Sequence, residues 1–288
     1  MTNLPAMPSP TSSARALFTA LAVTLLALPA LGQSLLEPGA RPRLLQEKGA
    51  GEGPAWHPEL GLLTSGEGHI HRRDLQGHAS IHRPDAGSNG LMFDRQGRLV
   101  YCDSAHRRMV RIERDGSMTI LADQFEGRRF NTPNDLTIDS KDRIYFSDPR
   151  YGPRDDMEMK DRDGNTVEGV YRIDPDGRVT RVIGREVERA NGVVVTPDDQ
   201  FLYVADNNNN TVGGARKLFR IRLRPDGSVD LASRKLIHDW KATRGPDGIK
   251  LDRKGRLYVA AGLNRQNPPW ETQSKPTAGI YVFSPSGR

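Results

Sequence analysis

One order of segments recurs five times along the chain, and this recurrence limits the fold more than any other feature. Each unit runs from a polar turn into an apolar stretch of strand length, then through a loop to a second alternating stretch. The second stretch closes on an Asp-Gly-like turn, which favours β-hairpins. The units begin at Trp56, Phe93, Ile138, Val195 and Leu251, and their spacing of about 35–57 residues is typical of propeller blades.

The repeated unit predicts an all-β protein, because no long stretch has helical periodicity. Each unit is a small antiparallel sheet that can bury its faces only against neighbouring units. A β-propeller is the natural arrangement of such sheets, and we predict one over residues 50–288. A β-sandwich is the alternative, but it does not explain why the order of segments recurs.

The segment before the repeats has the properties of a secretory signal peptide. Residues 1–32 contain one positive charge, Arg15, and then an apolar run that ends in the small residues Ala30 and Gly32. A membrane span needs about 20 apolar residues, and this run is somewhat short, so cleavage near Gly32 is expected rather than retention as an anchor. We therefore predict export to the periplasm or the medium, without membrane attachment after cleavage.

The charge pattern argues against a nucleic-acid-binding protein, and the cysteine content argues against a protein stabilised by internal disulfides. The formal net charge is +6, and basic and acidic residues are interspersed, so nucleic-acid binding has little support. Cys102 is the sole cysteine, so an exported chain has to be stable without an internal disulfide. Cys102 lies in the apolar run RLVYCDS and is predicted to be a buried small hydrophobe rather than a nucleophile.

A second repeat lies where the innermost strand of each unit begins, and it consists of one oxygen-bearing side chain per unit. These residues are Glu52, Asn89, Asn134, Asn191 and Asp247. Innermost strands of a propeller surround the central channel, so Glu52, Asn134, Asn191 and Asp247 are expected to converge on the axis. The alternative is that they only form turns, as Asn and Asp often do.

Most of residues 50–288 is covered by motifs that occur in one order: EGPAW, NTPND, YFSDPRYG, GVYRIDPDG, RANGVVVTPDDQFLYVAD and GPDGIKLDRKGRLYVA. Together they resemble the senescence marker protein (regucalcin)/gluconolactonase family of six-bladed propellers. The resemblance implies a divalent metal in the central channel, usually Ca²⁺, and hydrolysis of a sugar lactone or related ester. A small-molecule lactone or sugar acid is therefore the expected partner, and the oligomeric state stays open.

The resemblance also assigns roles to individual residues. The implied metal ligands are Glu52, Asn134, Asn191 and Asp247; Asp247 is the implied catalytic base, and Asn134 is a second catalytic candidate. Asp148 is the alternative base. Loops at a propeller mouth often line pockets, and the candidate substrate-binding residues are Asn89, Asp148, Arg150, Tyr151, Asp206 and Asn207.

The donors in this set are all hard oxygens. Two carboxylates and two amide oxygens favour Ca²⁺, with Mg²⁺, Mn²⁺ or Zn²⁺ as alternatives, and they differ from zinc sites built on thiolate and imidazole. Two anionic ligands leave coordination positions for water, which a catalytic site requires.

One feature departs from the family pattern, because the sequence ends at FSPSGR after the fifth unit. We interpret the chain as a fragment or a truncated product that lacks the sixth blade; a five-bladed ring is the alternative. Residues 33–49 are an N-terminal segment that is expected to supply at most one outer strand. The functional alternatives are a non-catalytic propeller that binds a sugar or a protein, and an inactive truncated family member.

Overall fold

The computed structural model describes residues 37, 39–41, 43–46, 48–49 and 51–287. The chain divides into two compact units, Met1–Leu44 and Leu45–Arg288. In the first unit, the Ala40 N–H donates to the Glu37 carbonyl at 3.0 Å and closes a turn. The predicted signal peptide, residues 1–32, lies outside the described residues. Where segment 33–49 is described, its residues are not in a strand.

All the strands formed by the described residues lie in the second unit, and they group into sheets that follow the chain order. Blade one consists of β1 Glu52–His57, β2 Gly61–Gly66, β3 His69–Arg73 and β4 Ala79–Arg83. Blade two consists of β5 Ser88–Phe93, β6 Leu99–Asp103, β7 Arg108–Ile112 and β8 Met118–Ala122. A two-stranded hairpin follows, β9 Gln124–Phe125 and β10 Arg128–Arg129.

The later blades continue in the same way. Blade three consists of β11 Leu136–Ile138, β12 Ile144–Ser147, β13 Val170–Ile173 and β14 Val179–Ile183. Blade four consists of β15 Ala190–Val195, β16 Phe201–Asn207, β17 Arg216–Leu223 and β18 Val229–Asp239. Blade five consists of β19 Ile249–Leu251, β20 Leu257–Ala261 and β21 Gly279–Phe283.

The blades are antiparallel sheets whose first strands are neighbours in the order β1, β5, β11, β15 and β19. The predicted all-β propeller is therefore confirmed, and each of the five repeated units corresponds to one blade. Among the described residues, no helix is long and apolar enough to cross a bilayer.

Apolar side chains fill the space between successive blades, with one cluster for each of the four neighbouring pairs. Between blades two and three, for example, Val100 and Cys102 pack in one cluster with Leu136 and Phe146. Cys102 is free and fully buried, which confirms its predicted role as a small hydrophobe. Each sheet thus buries apolar side chains against the neighbouring sheets, as the repeat predicts.

An Asp-x-x-x-Arg turn joins the first two strands in blades two, three and five. In residues 94–98, 139–143 and 252–256, the aspartate Oδ1 accepts the arginine N–H at 2.9, 3.0 and 2.9 Å, respectively. The arginine Nε then donates to the other carboxylate oxygen. This pairing is encoded within five residues, and it closes the turn between the first two strands of each of these blades.

Candidate functional site

The inner strands of blades one, two and four carry a β-bulge at the same place. The register of the pairing shifts between Glu52 and Ala55 in β1, between Ser88 and Leu91 in β5, and between Ala190 and Val193 in β15. A bulge bends the strand and redirects its side chains. The oxygen-bearing residue of each blade, Glu52, Asn89 or Asn191, lies in this irregular stretch, where it is turned toward the axis.

A glycine follows each of these residues and lets the next blade come close. A Cβ on Gly53 would lie 2.3 Å from the Asn89 carbonyl oxygen, and one on Gly90 would lie 2.7 Å from that of Asn134. A Cβ on Gly192 would lie 2.3 Å from the Asp247 carbonyl oxygen. The site residue of one blade is therefore seated on the glycine of the preceding blade, and this contact sets the spacing of the site residues around the channel.

Backbone hydrogen bonds hold the remaining two candidates just before their strands. The Asn134 N–H donates to the Ser147 carbonyl at 2.9 Å, and the Asn134 carbonyl accepts the Gly90 N–H at 2.7 Å. The Asp247 N–H donates to the Ala260 carbonyl at 2.8 Å. Both segments precede short inner strands, β11 and β19, so their side chains project from the ends of these strands into the channel.

One cavity of about 260 Å³ lies where the inner strand ends meet. Its lining includes the four predicted metal ligands and one of the predicted substrate-binding residues, namely Glu52, Asn134, Asn191, Asp247 and Asn89. The structure thus brings together residues that are up to 195 positions apart in sequence, from blades one to five. Turn formation alone does not account for this convergence.

Burial raises the pKa values of three acidic residues that line the cavity, and for two of them nearby carboxylates raise the pKa further. The pKa of Glu52 rises to about 7, because the protein surrounds its carboxyl group and because Asp247 and Asp135 lie nearby. Burial raises the pKa of Asp247, although a hydrogen bond from the Asn191 side chain partly offsets this effect. Burial likewise raises the pKa of Asp135. Several carboxylates that share one desolvated space are stabilised by a cation.

Two charged residues of this cavity were not predicted as site residues. Asp135 accepts the Leu136 N–H at 2.9 Å and the Val193 N–H at 3.3 Å, so it connects blade three to blade four. Lys250 lines the cavity, and its Nζ lies 3.8 Å from Asp135 Oδ1. The sequence did contain a signal for Lys250, because it alternates with the apolar residues Ile249 and Leu251 in an inner strand.

The Tyr151 hydroxyl lies behind the cavity wall rather than in the lining. It donates to the Asn207 carbonyl at 3.0 Å and accepts the Asn191 Nδ2–H at 3.0 Å. The Arg189 guanidinium lies over the Tyr151 ring, 5.3 Å from its centroid. Tyr151 therefore contacts one residue of the cavity, Asn191, and Asn207 contacts Tyr151, but neither of them lines the cavity.

The other predicted substrate-binding residues also lie outside the lining. Asp148 is fully buried, and its Oδ2 accepts the Asn131 N–H at 2.8 Å; burial raises its pKa to about 8. Asp206 is buried and accepts the Arg189 N–H at 2.9 Å, and burial raises its pKa to about 6. Arg150 forms an ion pair with Asp156 at 2.6 Å. These side chains support loops around the channel.

The cavity residues fit a hard cation by their chemistry. Glu52 and Asp247 offer carboxylate oxygens, and Asn134 and Asn191 offer amide oxygens, which are ligands that Ca²⁺ accepts. Among the residues that the structure describes, no group of three or more His, Cys, Asp and Glu side chains is arranged for a metal. A site in this cavity would therefore depend on the asparagines as well as on the acids.

The fold and this cavity together define a class of protein, a β-propeller whose inner strand ends present oxygen donors around one central site. The chain belongs to the SMP-30/Gluconolactonase/LRE-like family, whose model matches residues 50–275. This match confirms the resemblance that the motifs indicate.

Relatives and solved structures agree with this assignment. A gluconolactonase of Zymomonas mobilis is 29% identical over 213 residues, 70% of this chain and 53% of the relative, so the chain spans about half of that relative's length. A gluconolactonase structure from Xanthomonas campestris has 26% identity and a TM-score of 0.65, and covers 82% of this chain and 73% of its own. Regucalcin of Agrobacterium tumefaciens, described as a calcium-binding protein, has 17% identity and a TM-score of 0.59, and the match covers 85% of this chain and 74% of regucalcin. This likeness shows a shared fold.

Proposed function

We propose that this protein hydrolyses a sugar lactone at the central cavity, with a divalent cation, most readily Ca²⁺, held by Glu52, Asn134, Asn191 and Asp247. The observation that carries the proposal is the convergence of these four oxygen donors, from four blades, in one cavity. Family membership and the gluconolactonase relatives support the choice of a lactone.

A cation bound in this site supplies Lewis-acid polarisation of the lactone carbonyl and lowers the pKa of water. The Asp247 carboxylate accepts the proton of the attacking water as its oxygen bonds to the carbonyl carbon. The bond between that carbon and the ring oxygen then breaks, and the proton passes to the released alkoxide. The product is an open-chain hydroxy acid.

The remaining lining residues orient the substrate. Lys250 provides a cationic donor for substrate oxygens, and Asn89 provides a neutral amide. Asp135, whose oxygens already accept two backbone N–H groups, keeps blades three and four in register beside the site. Positioning of this kind lowers the barrier because the reacting groups are held in place before reaction.

The proposal is tested with Asp247→Ala and Asn134→Ala, measured by pH-stat hydrolysis of sugar lactones. Loss of a base or of a metal ligand should reduce kcat/KM by at least about 100-fold, while circular dichroism shows a folded protein. Asp163→Ala, at an exposed position outside the cavity, is the matched control and should keep wild-type activity. Wild-type rates in both cavity variants would refute the mechanism.

Inactivity of the wild type on every lactone, combined with binding of a sugar or a protein, would favour the non-catalytic alternative.

Export to the periplasm or the medium is also part of the proposal and depends on the apolar run in residues 1–32. N-terminal sequencing of the mature protein should find cleavage near Gly32. An intact N-terminus in a protein recovered from the cytoplasm would contradict it.

A further inference from the structure

We infer that Tyr151 is a positioning residue, whose hydroxyl fixes the Asn191 side-chain amide so that its oxygen faces the cation site. The inference rests on the proposed function, because it concerns one of the four proposed ligands. Tyr151 does not touch the substrate space itself, and acts only through Asn191.

The hydrogen bonds of Tyr151 leave one orientation for this amide. A tyrosine hydroxyl has a single proton, and that proton is donated to the Asn207 carbonyl, which can only accept. Toward Asn191 the hydroxyl must therefore act as an acceptor. Only the Nδ2 end of the amide has hydrogens, so Nδ2 faces Tyr151.

The second partner of the amide enforces the same choice. The Asn191 side chain also hydrogen-bonds to the Asp247 carboxyl group, which accepts when it is ionised. Both hydrogens of Nδ2 are then used by acceptors, and Oδ1 is left for the cavity that Asn191 lines. Since a cation binds an amide through oxygen, this orientation is the one that a ligand needs.

Tyr151 is itself held in place. The Asn207 N–H donates to the Arg189 carbonyl at 2.9 Å, which fixes the carbonyl acceptor within blade four. The Arg189 guanidinium covers the Tyr151 ring, and its Nε donates to Glu168 at 2.8 Å. The hydroxyl is thus presented by a rigid support and does not depend on the substrate.

The test compares cation affinity in wild type, Tyr151→Phe and Tyr145→Phe, measured by calorimetric titration with Ca²⁺ and by Tb³⁺ luminescence. Tyr151→Phe keeps the ring under Arg189 and removes only the hydroxyl, so affinity should fall about 10–100-fold, as for other residues that orient metal ligands. Tyr145 is a matched control, because its buried hydroxyl donates to the Gly227 carbonyl at 3.0 Å, outside the cavity lining. Tyr145→Phe should keep wild-type affinity.

A second variant background distinguishes a role of Tyr151 in orienting the Asn191 amide from a purely structural role. In the Asn191→Asp background both ends of the side chain are oxygen, so its orientation no longer matters. In this background, adding Tyr151→Phe should change Ca²⁺ affinity less than about threefold. In the protein that keeps Asn191, the same substitution is expected to lower the affinity about 10–100-fold. Equal losses in both backgrounds would overturn the inference and give Tyr151 a purely structural role.

The outcomes distinguish the two proposals. If wild type binds neither Ca²⁺ nor Tb³⁺, the metal site of the proposed function fails. If wild type binds and Tyr151→Phe binds equally well, only the role of Tyr151 fails. Should Tyr151→Phe not fold, a crystal structure of wild type with Ca²⁺ decides: Asn191 Oδ1 within about 2.3–2.6 Å of the ion supports the inference, and Oδ1 on the Tyr151 hydroxyl overturns it.

Discussion

Gly192→Ala is the sharpest single perturbation of the way in which the blades meet around the cavity. The added Cβ would lie 2.3 Å from the Asp247 carbonyl oxygen, 3.0 Å from the Ile249 nitrogen and 3.1 Å from Ile249 Cγ1. The first two are backbone atoms of the neighbouring blade, so they cannot rotate away. Either blade five moves outward, taking Asp247 with it, or β15 is displaced together with Asn191.

Two opposing effects determine how much Gly192→Ala changes the free energy of unfolding. Overpacking of this kind costs about 1–3 kcal/mol, and a contact with backbone lies at the upper end. Replacing Gly by Ala also reduces the conformational entropy of the unfolded chain, which offsets about 0.4–1 kcal/mol of this loss of stability. The expected net loss is therefore about 2 kcal/mol, which lowers Tm by about 4–8 °C in a domain of this size.

Thermal and urea unfolding measure this loss, and Gly279→Ala is the matched control. Gly279 lies in a strand, β21, and a Cβ there meets no atom within 4 Å, so the control should be neutral or slightly stabilising. Gly192→Ala should also weaken Ca²⁺ binding, since it displaces two proposed ligands. Equal stabilities of the two variants would refute the account of close blade contact.

Three further predictions follow from buried groups. The pKa of Asp148 is raised from 3.8 to about 8, so its carboxyl group ionises at lower pH in the unfolded chain than in the folded one. The contribution of this group to stability is therefore greatest below pH 4 and should fall as pH rises to 8, by up to about 1.4 kcal/mol per pH unit. Asp148→Asn should flatten this dependence in urea titrations, and parallel slopes for the two proteins would contradict the assignment. Glu52, with its pKa of about 7, should make Ca²⁺ affinity rise up to tenfold per unit between pH 5.5 and 7. Glu52→Gln should weaken binding and reduce this slope in calorimetric titrations, and an unchanged slope would exclude Glu52 as a ligand. Burial raises the pKa of Cys102, so a thiol reagent should label it only after unfolding; rapid labelling of the native protein would place it at the surface.

The blades and the central residues could be predicted from the sequence because both are repeated. An alternating strand followed by an Asp-Gly-like turn is a local signal, and five copies of it define a propeller. Glu52, Asn191 and Asp247 stand at equivalent points of this repeat, so symmetry alone places them around one axis.

The surroundings of the cavity could not be predicted in the same way. Tyr151 and Asp148 lie in or beside the insertion of blade three, which has no equivalent in the other units. Whether such residues face the cavity depends on how the insertion packs, and the sequence contains no periodic signal for that. Asp148 became a buried acceptor for Asn131, and Tyr151 came to lie behind Asn191, through contacts between segments distant in sequence.

The central claim is that oxygen donors from four blades hold one divalent cation that lactone hydrolysis requires. Its most direct test is pH-stat hydrolysis of a panel of sugar lactones by the purified protein, before and after complete removal of metal by a chelator, and again after Ca²⁺ is restored. We expect hydrolysis of at least one lactone, its loss with the chelator, and its recovery with Ca²⁺. Hydrolysis that persists undiminished in the metal-free protein would contradict the claim.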